Sequence, residues 1–183
     1  MYTILVNIVA ISGSLRKKSY NTALLRAAQK LAPDMYIEIL EIGNLPLYNQ
    51  DLEENFPLEV LTLREKIKTA DGVLFAVPEF NRTPAAPLKN FLDWISRPET
   101  EPVPFADKAV GILGASSGPR GASFAQYDIR RVMSYFNART MGQPEFYLGI
   151  AQDKFDADLN LTNERTIETL KKFLAAFGEH IKR

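Results

Sequence analysis

A chain of 183 residues with 46% hydrophobic and 24% charged residues has the make-up of an ordinary globular protein, which excludes a disordered or fibrous one. Its 22 basic and 22 acidic side chains give a formal net charge of zero, and with no basic stripe a nucleic-acid or anionic-membrane partner is not expected. It contains no cysteine, which removes disulfides, thiolate nucleophiles and most structural zinc sites.

The length predicts a single domain over 1–183. The apolar stretch Met1 to Ile11 lacks a basic leader and is cut by Asn7 and Ser12 well short of a membrane span, so a cytoplasmic protein is expected. Ile4 to Ile11 is a nearly continuous aliphatic run, as a parallel strand covered on both faces requires. The first helix follows, with Leu24, Ala27, Ala28 and Leu31 on one face and Pro33 after it as a stop. Met35 to Ile42 predicts a second strand. The link Gly43 to Phe56, broken by Asn44, Pro46 and Asn49-Gln50-Asp51, predicts an exposed loop. Pro57 opens a second helix whose Val60, Leu63 and Ile67 share a face, and Val73 to Val77 predicts a third strand.

A third helix over about Leu88 to Ser96 turns Leu88, Phe91, Leu92 and Ile95 inward and stops at Pro98. On it, Lys89 and Asp93 make an exposed i, i+4 pair, and Trp94 is packing or interface. Ala109 to Ala115 predicts the fourth strand, about Ser123 to Ala138 the fourth helix and Phe146 to Ile150 a short fifth strand. The polar stretch Asp153 to Asn160 precedes a last helix over about Thr162 to Phe177. Its frayed end carries His180, for which no catalytic role is expected. Five alternations of strand and helix predict an α/β three-layer sandwich around a five-stranded parallel sheet in the flavodoxin-like order 2-1-3-4-5.

Ligands of such sheets collect beyond the carboxyl ends of the strands where strand order reverses, here between the first and third strands. Three polar loops meet that description. The first, Ile11 to Asn21, joins strand to helix through Ser12, Gly13, Ser14, Arg16, Ser19 and Asn21. Helix-start N–H groups, short hydroxyls, an amide, a glycine that admits close approach and a guanidinium fork all suit a phosphate. An ordinary turn would use the serines as caps and leave Arg16, Lys17 and Lys18 solvated. Capping one helix, however, does not require three serines, an asparagine and an arginine. The loop lacks the paired glycines and Gly-Lys-Ser/Thr of a nucleoside-triphosphate loop, it is not G-x-G-x-x-G, and a cysteine phosphatase is impossible, so a single phosphomonoester fits better. The second loop is Pro78-Glu79-Phe80-Asn81, where Glu79 is an acid near the ligand or, at least as readily, a cap or a solvated charge. The third is Ser116-Ser117-Gly118-Pro119-Arg120-Gly121. A mononucleotide could bridge all three, with its phosphate in the first.

Gly13-Ser14-Leu15-Arg16…Ser19…Asn21, Pro78-Glu79-Phe80-Asn81…Leu88-Lys89-Asn90…Asp93-Trp94, Ser116-Ser117-Gly118 and Pro144-Glu145-Phe146 together resemble the NAD(P)H-dependent FMN reductase family, in its chromate and quinone reductase branch. The resemblance implies a flavodoxin-like homodimer or homotetramer that binds FMN, takes hydride from NADPH or NADH and passes two electrons to a small-molecule acceptor. It implies that Ser14, Arg16, Ser19 and Asn21, with Leu15 in the same loop, hold the FMN phosphate. Pro78, Glu79, Phe80, Asn81, Ser116, Ser117 and Gly118 would border the ring, largely through backbone groups. Two departures stand out. Phe80 replaces a usual tyrosine, and Arg82-Thr83-Pro84-Ala85-Ala86-Pro87 replaces a Ser-x-Pro-Gly turn.

No side-chain nucleophile is required by such chemistry, which the cofactor carries. A phosphoacceptor receiver domain would need acidic residues after the first and third strands, where this chain has Ser-Gly-Ser and Pro-Glu. A flavodoxin-type electron carrier would by resemblance be acidic, whereas this chain is neutral; a non-catalytic module shares the scaffold. The acceptor, whether quinone, azo dye, metal oxyanion or free flavin, cannot be read. Nor can NADH be separated from NADPH, although Arg82 or Arg120 could supply a cation to a 2′-phosphate where it is not simply solvated. Phe124, Tyr127 and Tyr135 form a second apolar stripe on the fourth helix, which suggests a homo-oligomer surface.

Overall fold

The computed structural model describes residues 5–97 and 101–183, so the expected strand residue Ile4 and the stop at Pro98 lie outside the described residues. In chain order the elements are β1 (Val6–Ser12), α1 (Tyr20–Leu31), β2 (Met35–Leu40), α2 (Leu58–Thr69), β3 (Gly72–Ala76), β4 (Glu79–Phe80), β5 (Thr83–Pro84), α3 (Ala86–Ile95), β6 (Ala109–Ala115), α4 (Ser123–Tyr135), β7 (Arg139–Thr140), β8 (Phe146–Leu148) and α5 (Glu164–Ile181). Short 3₁₀ turns occupy Gln50–Leu52 and Ala151–Asp153.

The aliphatic runs become the middle of a parallel sheet. Strand order is β2-β1-β3-β6, and the fifth position beside β6 is shared by β7 and β8, both parallel to it. Ala10 of β1 sits opposite Ile39 on one side and Leu74 on the other, so all three strands end level. The alternation of side chains across the pleat sorts the core into two layers. Ile8, Ala10 and Leu74 pack with Leu24, Phe173 and Phe177 beneath α1 and α5, while Val9, Ile11 and Phe75 pack with Ile67, Phe91 and Ile129 beneath α2, α3 and α4. This is the expected three-layer sandwich and strand order.

The differences are local. The fifth strand stops at Leu148, short of Ile150, because Ile150 turns left-handed (φ 50°) and β7 takes the other half of the edge. The fourth helix ends at Tyr135 rather than near Ala138, where Asn137 adopts φ 57°. The last helix runs on to Ile181. His180 is not frayed, since its Nε2 donates to the Arg139 carbonyl at 2.6 Å while Arg139 Nη1 donates back to the His180 carbonyl at 3.3 Å.

The link 43–56 is partly exposed, as its composition predicts, but it is tied down at one place. Trp94 is fully buried; its indole N–H donates to the Pro46 carbonyl (2.8 Å), and Tyr48 and Phe56 meet its ring edge-to-face at 5.1 and 5.9 Å. Asn90 completes the clasp, donating to Pro46 and accepting from the Tyr48 N–H. Lys89 and Asp93 form the expected exposed pair at 2.6 Å. No described helix is long and apolar enough to cross a membrane.

Candidate functional site

The first loop leaves β1 at Ser12, whose side chain is buried. Ser12 Oγ accepts from the Ser14 N–H (3.3 Å) and from Thr22 Oγ1 (2.8 Å), and so braces the loop against the helix. Ser14 Oγ accepts from the Arg16 N–H (3.4 Å), and Ser19 caps α1 by accepting from the Thr22 N–H (3.2 Å). Asn21 departs most from expectation. Its Nδ2 donates to the Ala115 carbonyl (3.0 Å) and its Oδ1 accepts from the Ala115 N–H (2.9 Å), so the amide binds the end of β6 and orients the loop. Gly13 is needed for a neighbour rather than a ligand, since a Cβ there would lie 2.7 Å from Pro78 Cδ and 3.0 Å from Leu88 Cβ.

Around Arg16 the loop is open. The N–H groups of Leu15, Lys17, Lys18 and Tyr20 have no protein acceptor among the described residues, and the first turn of α1 carries no acidic side chain. A cavity of about 390 Å³ lies against this surface, lined by Ser14, Arg16, Lys17 and Arg26 and, across it, by the end of β2 and residues 41–44, which include the carboxylate of Glu41.

The second loop is a miniature hairpin. β4 and β5 pair antiparallel around Asn81 and Arg82, both left-handed (φ 52° and 69°), the pairing of conformations that suits a tight two-residue turn. Pro78 is buried against Gly13, and Phe80 stands 60% exposed. Glu79 Oε2 accepts from the Ala125 N–H (3.1 Å), in the first turn of α4. That helix starts at Ala122 in a left-handed conformation with no side-chain cap of its own, and Glu79 supplies the missing one.

The third loop is sewn to the segment after β8. Ser116 donates its N–H to the Leu148 carbonyl (2.9 Å), Ala151 donates to the Ser116 carbonyl (3.0 Å) and Ile150 donates to the Gly118 carbonyl (3.1 Å). Ser116 Oγ turns to the Gly118 carbonyl (2.9 Å), whereas Ser117 is exposed and has no hydrogen-bond partner among the described residues.

Comparison with known proteins gives this geometry its family. The model of the NADPH-dependent FMN reductase family matches residues 6–153. The chain belongs to that family. It is 40% identical over 180 residues to an NAD(P)H-dependent FMN reductase of Pseudomonas aeruginosa, covering 97% of this chain and 96% of the other. With the NADPH:quinone oxidoreductase of Arabidopsis thaliana it shares 44% over 178 residues, 93% of this chain and 89% of that one. Among solved structures it resembles FerB of Paracoccus denitrificans, a flavoenzyme NAD(P)H:(acceptor) oxidoreductase, with a TM-score of 0.90 and 34% identity over 97% and 98% of the two chains.

An NADPH-dependent FMN reductase is an oxidoreductase that works with FMN and a nicotinamide nucleotide. The chemistry of the first loop is compatible with the FMN phosphate, since four N–H groups without protein acceptors among the described residues, Arg16 and an acid-free helix start would all suit an anion. Tight packing of Gly13 on Pro78, the Asn21–Ala115 pair and the Glu79–Ala125 bond bring all three loops to one end of the sheet. The cavity at Arg16, however, opens toward residues 39–44 and is not lined by the second or third loop.

Two features of this reductase escape a reading of its sequence. Thr22 supports the loop from within α1, and no spacing signals it. Behind the third loop, Arg130 Nη1 donates to the Met141 carbonyl (2.7 Å) and Arg130 Nε lies 3.8 Å from Glu145. Nearby, the Tyr147 hydroxyl is buried without a hydrogen-bond partner among the described residues. Burial, with Glu145 and Tyr127 beside it, holds that phenol well above the usual tyrosine range. The Pro144-Glu145-Phe146 motif marks the place but not the cluster.

Proposed function

We propose that this chain passes hydride from NAD(P)H to bound FMN and then two electrons to a small acceptor of the quinone, flavin, azo or metal-oxyanion class. The observation that carries the proposal is the cationic surface of the first loop, where N–H groups without protein acceptors among the described residues and Arg16 would suit a dianion. FMN supplies the redox chemistry when bound. The residues of the chain bind and orient. Ser14, Leu15 and Arg16 present donors to the phosphate, with Ser19 as the cap that fixes the helix start. Asn21 acts one step back, by holding the loop to β6. Pro78 to Asn81 and Ser116 to Gly118 border the ring. Phe80 gives that border an apolar, half-exposed face in place of a hydroxyl.

The active form in this reading is a homodimer or homotetramer built through α4. Phe124, Tyr127 and Tyr135 are 47%, 58% and 85% exposed. They run from the hairpin to a groove of about 600 Å³ between α3 and α4, lined by Leu92, Val132 and Phe136 among others. A second copy is the occupant that would bury Tyr127 and Tyr135 of this stripe, with Phe124 at its edge beside the site. Light scattering after size exclusion at micromolar concentration would show a dimer or larger, and a monomer alone would remove this part.

The deciding experiment is an absorbance spectrum with added FMN, followed by anaerobic NADPH and NADH. Flavin bands near-stoichiometric with protein that bleach on a nucleotide establish the reductase. Bands that persist point to an electron carrier, and no bound flavin at all removes both readings.

A further inference from the structure

The hairpin and the start of α4 share one aromatic ring. The Arg82 guanidinium carbon lies 4.9 Å from the centroid of Phe124, and the Arg120 guanidinium carbon lies 5.6 Å from the same centroid. Both are cation–π distances. Phe124 is 47% exposed and both arginines are exposed, so the assembly stands at the rim where the second and third loops meet.

Two like charges drawn to one small ring repel each other, and an ion pair with a carboxylate would relieve this. Glu79 of the same hairpin is bonded to the Ala125 N–H instead. Neither guanidinium makes a hydrogen bond or ion pair among the described residues. Arg82 also holds a left-handed backbone (φ 69°), which a non-glycine residue adopts only against steric cost. A strained turn that carries an unpaired cation to a shared ring is a placement that packing alone does not account for.

What the pair lacks is a dianion. Two planar forks, each with five N–H donors, match a terminal phosphomonoester better than they match a singly charged phosphodiester. The FMN phosphate has its own cradle with its own arginine in the first loop. Of the two nucleotide donors of the reductase reading, on which this inference rests, NADPH carries a terminal phosphomonoester at its 2′ position, where NADH has a hydroxyl; a phosphorylated flavin or an oxyanion acceptor is the competing dianion, which the donor ratio and the 2′,5′-ADP titration below separate from it. We infer that Arg82 and Arg120, held on Phe124, recognise the 2′-phosphate and make NADPH the preferred donor. Arg82 and Arg120 are then specificity-determining residues, and Phe124 is the positioning residue that keeps both in place.

The test compares holoprotein with Arg82→Ala, Arg120→Ala and the double variant. All three changes lie at exposed side chains and leave the core intact. The ratio of kcat/KM for NADPH over NADH should exceed about 10 in the parent, fall about tenfold in each single variant and approach unity in the double variant. Calorimetric titration with 2′,5′-ADP and with 5′-AMP supplies a readout independent of turnover. The parent should bind 2′,5′-ADP at least about tenfold more tightly than 5′-AMP, and the double variant should lose that difference. Equal use of the two nucleotides by the parent, or kcat/KM values that fall in step for both, would overturn the inference and assign the arginines to a feature that the nucleotides share. Failure of either nucleotide to bleach bound FMN would instead remove the reductase reading, while the two titrations would still report on the arginine pair.

Discussion

Asn21 grips Ala115 with both ends of its amide, donating from Nδ2 to the carbonyl at 3.0 Å and accepting at Oδ1 from the N–H at 2.9 Å, across 94 residues of sequence. The pair is buried, and it ties the first turn of α1 to the end of β6. Asn21→Ala leaves one backbone donor and one acceptor without partners in a site closed to water. Urea unfolding should show a loss of about 2–4 kcal/mol, together with weaker FMN binding because the loop is no longer held. Full stability in the variant would show that Ala115 finds other partners.

Arg16→Ala tests the loop without touching its support. The side chain is exposed and makes no ion pair among the described residues, so global stability should stay within about 0.5 kcal/mol. The FMN dissociation constant should rise about 10- to 100-fold with the loss of a bidentate, charge-assisted contact. Fluorescence titration of FMN against the apoprotein reads this directly, and an unchanged constant would place the phosphate elsewhere.

Trp94→Phe addresses the clasp between α3 and the 43–56 link. The smaller ring forfeits the bond to Pro46 and leaves a void against Tyr48 and Phe56. A loss of about 1–3 kcal/mol is expected in denaturant unfolding. Proteolysis in the 43–56 link should quicken in parallel, and unchanged cleavage would mean that Asn90 suffices to hold it.

Tyr147 sets an alkaline limit. Its folded-state pKa is raised above the ordinary value near 10, so the neutral phenol favours the folded state fully below that pH. That contribution is lost as pH climbs above 10 toward the folded-state value. Tyr147→Phe should flatten the fall of the unfolding midpoint above pH 10 and leave its pH dependence between 6 and 9 unaltered. Parallel curves for parent and variant would mean that the phenol ionises as readily folded as unfolded.

The sheet was legible because a strand buried on both faces must be apolar at every position, and Val9 to Ile11, Val73 to Val77 and Ala109 to Ala115 are nearly so. The far edge was not, because the end of the fifth strand depends on a left-handed Ile150, a conformation that no propensity favours. At the site, the crowd of Ser, Gly and Arg suggested a phosphate loop, but the partner of Asn21 lies a whole sheet away in sequence and does not follow from composition. The hairpin at Asn81-Arg82 was hidden for a similar reason. Arg82 is a poor residue for the turn it makes, and what holds it there is a ring on another helix. Glu79 was legible only as a choice between acid and cap, and the bare start of α4 decides for the cap.

The contact of Gly13 with Pro78 couples two loops that are far apart in sequence. A Cβ at position 13 would meet Pro78 Cδ at 2.7 Å and Leu88 Cβ at 3.0 Å, so any side chain there would force the loop after β1 away from the loop after β3 and from the first turns of α3 together. One missing methyl group thus sets the distance between two of the three loops at this end of the sheet.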